Sequence, residues 1–163
     1  MWTAIKSISS LLLSFGMLLL GNGMTGTLLG IRSRLEGFST GTTGFIMAGY
    51  SVGLLLGALF ATRVVATVGH IRAFAAFASI MSVAVLAHVL IIEPIVWFAL
   101  RVVAGFCMAG MVMVVESWVN ERATNSTRGR ILSLYMMTNY MGAGLGQFML
   151  LLDDPAQFQL FVI

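Results

Sequence analysis

The residues of this sequence that could do chemistry are few. Arg101 stands inside an apolar run, six residues past Ile95, which is about 9 Å along a helix axis at 1.5 Å per residue. A cation at that depth in a membrane is costly, and such residues usually face an aqueous pathway or a partner; snorkelling to the nearer surface is the competing use. Arg101, Gly105, Met108, Val112 and Glu116 fall on one helical stripe. Arg101 and Glu116 lie about 22 Å apart along that helix and cannot pair, so Glu116 reads as a solvated carboxylate near a helix end or as a proton site. Asn22 and Thr25 sit beside Gly21, Gly23 and Gly26, while Tyr135, Asn139, Gly142 and Gly146 share another face. Amides and hydroxyls inside a membrane serve a cavity wall or a helix-to-helix hydrogen bond. The chemistry on offer is recognition by charge and hydrogen bonding. G-x-x-x-x-G-K-[ST], H-E-x-x-H and a Ser/His/Asp set at one depth are all missing from the sequence, so no enzyme activity and no cofactor are expected. The two histidines are too far apart to suggest a metal site.

The elements that must position these residues follow from composition. Of 163 residues, 59% are apolar and 9% charged, with a mean hydropathy of +0.98, against roughly a quarter charged in soluble domains. That balance excludes an ordinary soluble domain, a disordered chain, a collagen-like repeat and a coiled coil. The expected class is an all-α integral membrane protein. A spanning helix needs about 20 mostly apolar residues, and such runs at 8–29, 43–65, 73–92, 95–117 and 130–152 predict five spans. After Asp153, Asp154 and Pro155 the chain turns apolar again, so a sixth span starts at about 156 and is cut off. The first run is too long for the apolar region of a signal peptide and lacks a cleavage context. Short connections predict a single bundle, 1–163, of antiparallel neighbours.

The pI near 9.6 comes from nine dispersed Lys and Arg and reflects topology, not nucleic-acid binding. Sorting these by loop puts Lys6, Arg63, Arg72, Arg122, Arg128 and Arg130 on one side and Arg32 and Arg34 on the other, which predicts a cytoplasmic N-terminus. The acceptor pattern Asn125-Ser126-Thr127 then falls in a cytoplasmic loop and is no glycosylation site. Cys107 is read as a small core residue. The third span, almost without polar groups, is expected to face lipid, with His88 near its outer end reaching the interface. Gly49, Gly53 and Gly57, followed by Ala61, form a ridge that lets another helix approach closely, either inside this bundle or from outside it.

The motifs resemble the N-terminal half of a major facilitator superfamily transporter, in detail its YcaD-like bacterial branch. In the first helix the resemblance rests on Gly21-Asn22-Gly23 followed by Leu28-Leu29 and Arg32. In the fourth it rests on Arg101-x-x-x-Gly105, and in the next inner loop on Glu121-x-Ala123 followed by Arg128-Gly129, the spacing E-x-A-x-x-x-x-R-G. The hallmark G-x-x-x-D-R-x-G-R between helices two and three is degraded. Gly69 and Arg72 fit, but Thr62, Ala66, Thr67 and His70 replace its first glycine, its aspartate, its arginine and its last arginine.

The resemblance implies two six-helix halves that rock about a midplane solute site. This chain is then expected to be a fragment lacking the C-terminal half, or a half that works with a second copy through the glycine ridge. Family geometry has the first and fourth helices line the cavity, with Asn22, Thr25, Arg101 and Asn139 on the route of a small solute. Arg101 suits an anionic or hydrogen-bonding group. Arg72, Glu121, Arg128 and Arg130 are expected to form a cytoplasmic charge cluster that closes the inner side. The implied location is the bacterial inner membrane. A non-transporting scaffold or accessory subunit is the alternative.

Overall fold

The computed structural model describes residues 2–122 and 127–162, and the side chains of 10–121 and 127–162. Ala123 and the Asn125-Ser126 part of the acceptor pattern lie outside the described residues, as do the side chains of Lys6 and Arg122. The elements are α1 (Trp2–Leu35), α2 (Thr40–Val68), α3 (His70–Leu90), α4 (Pro94–Arg122), α5 (Arg128–Phe148), a 3-10 turn (Met149–Leu151) and α6 (Gln159–Val162).

Local chemistry sets the boundaries. Ser39 caps α2, its hydroxyl oxygen accepting the Thr42 N–H at 3.1 Å. Gly69, at φ +84°, ends α2 and opens α3 within one residue, a left-handed position that glycine occupies without a Cβ penalty. Pro94 opens α4, and the Glu93 carboxylate accepts the N–H groups of Ile95 and Val96 at 2.9 and 3.1 Å.

Among the described residues four helices are long and apolar enough to cross a membrane: Ser10–Leu35, Thr40–Val68, His70–Leu90 and Pro94–Glu121. The fifth expected span is not one of them. α5 starts on Arg128 and Arg130 and carries Tyr135, Thr138, Asn139, Tyr140 and Gln147, which dilute its apolarity. Where a sixth span is expected to start, at about 156, the described residues form turns followed by the four-residue α6.

α4 is the hub, packed by α2 on one side and α3 on another, while α5 packs on α1. The ridge of Gly49, Gly53 and Gly57 is buried in the α2–α4 seam against Phe98, Val102, Phe106 and Ala109. Gly105 reciprocates against Tyr50 and Leu54, and a Cβ on Gly53 would overlap the Val102 carbonyl oxygen. The ridge is thus used inside the bundle and is not the free surface that a contact between two copies requires. Gly142 and Gly146 bring α5 equally close to Leu19 and Leu20 of α1.

Two apolar clusters fill the interior. One gathers Phe15, Phe77, Met111, Val114, Val115 and Tyr135; the other, at the opposite end, gathers Leu28, Leu29, Ile46, Trp97, Leu160 and Phe161. α3 buries Ala73, Phe77, Met81, Ala84 and His88 while exposing Ile80, Val83, Leu86 and Leu90. The expectation for His88 is therefore corrected. It continues the inward stripe, is 1% exposed, and packs edge-on to Trp97 with ring centroids 5.6 Å apart.

Candidate functional site

Arg101 is turned into the bundle and does not snorkel. Because Gly49 has no side chain, α2 lies against the Arg101 Cβ, and the guanidinium carbon stands 4.4 Å from the centroid of the Tyr50 ring. The residue is 6% exposed. Its Nε has no hydrogen-bond partner, and no carboxylate pairs with it among the described residues. A desolvated cation–π contact contributes about 2 kcal/mol, whereas the desolvation penalty of an ion is several kcal/mol. The ring compensates only part of the buried charge.

The Tyr50 phenol has the Asn22 side chain as a polar neighbour, so α1, α2 and α4 contribute one group each to this cluster. Asn22 and Thr25 also line a cleft of about 200 Å³ between α1, α3 and α6, with Met81, Ser82, Leu160 and Phe161 on its other walls. The Thr25 hydroxyl donates to the Gly21 carbonyl at 2.6 Å, a bond within its own helix.

Asn139 is not brought to Arg101 by any described contact. Its Nδ2 donates to the Tyr135 carbonyl at 3.0 Å, and the Tyr135 hydroxyl donates to Glu116 Oε1 at 3.0 Å. The Tyr135 ring stacks on Phe15 at 6.2 Å. The polar residues thus form two clusters, Arg101–Tyr50–Asn22 and Glu116–Tyr135–Asn139, about 22 Å apart along α4. Tyr50 is the member that sequence reasoning missed; its signal was a phenol next to Gly49 on the close-packing ridge.

His88 is a further buried polar group. Its Nδ1 lies 2.7 Å from the Ala84 carbonyl; because a carbonyl only accepts, Nδ1 carries a proton, and in the neutral ring Nε2 presents a bare lone pair. Nε2 has no partner. Trp97, which packs on His88, stands one turn before Arg101 on α4.

The expected charge cluster lies where α3 begins, α4 ends and α5 begins. Arg72, Glu121, Arg128 and Arg130 are all exposed there. Arg128 reaches Asn120 Oδ1 at 3.5 Å, and among the described residues none of the arginines pairs with Glu121. At the opposite end Arg32 pairs with Glu36 at 2.7 Å and also donates to the Ala156 carbonyl, tying the segment before α6 to α1. Gln147 donates to the Gly23 carbonyl at 2.6 Å and accepts from Thr27 at 2.8 Å, linking α5 to α1.

Comparison with known proteins adds the family. The profile of the Major Facilitator Superfamily matches residues 11–152. The chain is 32% identical over 149 residues to the uncharacterized MFS-type transporter YcaD of Escherichia coli O45:K1 (strain S88 / ExPEC), covering 91% of this chain and 39% of that protein. The same identity and coverage hold for YcaD of Escherichia coli O157:H7 (strain EC4115 / EHEC). No solved structure matches. The chain spans about 39% of the length of these curated relatives. With its all-helical bundle, four membrane-length apolar helices and a match across most of its residues, the chain belongs to the Major Facilitator Superfamily.

Proposed function

We propose that this chain supplies the N-terminal half of a secondary transporter that moves a small solute across the bacterial inner membrane by alternating access. The observation that carries this reading is Arg101, a buried cation held over Tyr50 and left without a carboxylate, in a chain of a transporter family. Intramembrane cations of this kind mark solute pathways or pair with a partner; the transporter family favours the pathway, and the scaffold alternative would instead pair Arg101 with another protein. Asn22 and Thr25 share the route with Arg101, and Asn139, held in the Glu116–Tyr135 cluster, lies further along it. Uptake by the complete protein that is lost in Arg101→Ala at unchanged expression supports the reading; unchanged uptake in the variant removes Arg101 from the solute route, and no solute uptake by the complete protein overturns the reading.

In this reading α5 is the fifth span, its polar groups turned to partners such as Gly23 and Thr27 of α1. α6 opens a sixth, and Leu160 and Phe161 already sit between α1 and α3. A C-terminal half, absent from the matched 39% of the relatives, completes the cavity. The surplus of Lys and Arg in alternate loops supports a cytoplasmic N-terminus. Arg72, Glu121, Arg128 and Arg130 then lie on the cytoplasmic side, free to pair when that side closes and so to bias one of two states. Glu116, accepting from Tyr135, is the proton site of this reading.

A further inference from the structure

We infer that the solute is an anion, bound through a carboxylate or similar oxyanion by the Arg101 guanidinium beside Tyr50 and Asn22. The inference rests on the transporter reading above and names the class of its substrate. Charge compensation is the core of it. Helices α1, α2, α3 and α5 contain no Asp or Glu at all. On α4 itself the acids are Glu116 and Glu121, about 22 and 30 Å further along the axis. Glu93, just before α4, is engaged with the N–H groups of Ile95 and Val96. Among the described residues of this chain, no carboxylate pairs with Arg101.

The local geometry points the same way. The Tyr50 ring offers its face to the cation, and a ring face is not an oxygen acceptor, so the buried Nε–H remains unmet. Planar oxyanions match the guanidinium edge with two parallel N–H···O bonds, which no neutral group does equally well. The Asn22 amide supplies a neutral donor one helix away, on the wall of the cleft. A cationic solute would be repelled, and a neutral one would leave the charge uncompensated in an apolar bundle.

The test uses the complete protein, purified and reconstituted in liposomes, with benzoate and lactate as probes beside benzamide, lactamide and benzylamine. Thermal stabilisation reports binding and labelled-probe exchange reports transport. The carboxylates should stabilise the protein saturably, and Arg101→Gln should weaken this at least about tenfold, as expected when one partner of a buried charge pair is truncated. Arg101→Lys keeps the charge and should retain part of it, which separates loss of binding from loss of folding. Equal stabilisation by the amides or the amine, or none by either carboxylate, overturns the inference. So does recovery of Arg101→Gln stability by neutralising one acid elsewhere in the complete protein, because Arg101 then has a partner of its own. Carboxylate binding without exchange would sink the transport reading and leave the anion site standing; exchange of a neutral or cationic solute would do the reverse.

Discussion

The Tyr135 hydroxyl donates to Glu116 Oε1 at 3.0 Å and so joins α5 to α4, two helices that otherwise touch little. α5 is held mainly by α1, through the close contacts of Gly142 and Gly146 and through Gln147. The tyrosine is therefore a single polar strut between the α1–α5 pair and the α4 hub, with its ring seated on Phe15.

Tyr135→Phe keeps the ring and removes the strut. The carboxylate is exposed and regains water, so the expected loss is at most about 1 kcal/mol, read as a small drop in melting temperature. A larger change in exchange rate than in stability would mark the strut as part of the moving machinery. Equal, negligible effects on both would assign it to packing alone.

Tyr50 separates two roles that one substitution cannot. Tyr50→Phe leaves a ring face under Arg101 and removes only the phenol beside Asn22, whereas Tyr50→Leu removes the ring. The leucine variant should lose about 2 kcal/mol, the size of a desolvated cation–π contact, and the phenylalanine variant much less. Chemical denaturation of both in detergent checks this; equal losses would show that the ring face does not support the guanidinium.

Glycines in the α2–α4 seam should tolerate no side chain. Gly53→Ala forces a methyl onto the Val102 carbonyl, and such overpacking costs about 1–3 kcal/mol. Gly44→Ala, in the same helix with nothing within 4 Å of the added methyl, should be neutral or slightly stabilising, since alanine is the better helix former by roughly 1 kcal/mol. Melting temperatures of the pair decide the matter, and similar values would mean the seam is looser than its geometry.

His88→Leu removes a buried nitrogen that has no partner and a bond made only to its own helix. If the imidazole merely packs on Trp97, stability should change by less than about 1 kcal/mol and exchange should persist. Loss of exchange in a stably folded His88→Leu protein would assign Nε2 a ligand or a proton.

Much of this architecture was legible before any coordinates. Long apolar runs specify helices because every backbone polar group must be satisfied inside the membrane. The structure sets the breaks at Gly37, Gly69 and Pro94, where left-handed geometry or a missing N–H interrupts a helix. Arg101 stood out because a lone cation among apolar residues is costly wherever it points. The apolar run at 130–152 predicts α5 as a fifth span, but α5 is not among the helices apolar enough for one, since its polar groups, met in part by a neighbouring helix, dilute its apolarity.

Sequence by itself determined the class of the protein, the order of its helices and the few residues worth testing, because burial in lipid leaves a local record in composition. It did not determine which helix meets which. Only the tertiary structure turned His88 inward onto Trp97, consumed the Gly49–Gly53–Gly57 ridge against α4, and divided the polar residues between Tyr50 and Tyr135. Those outcomes depend on how far each helix is rotated about its axis and which neighbour it packs against, and that is set by side-chain fit between different helices, not by the residues next to each position in the chain.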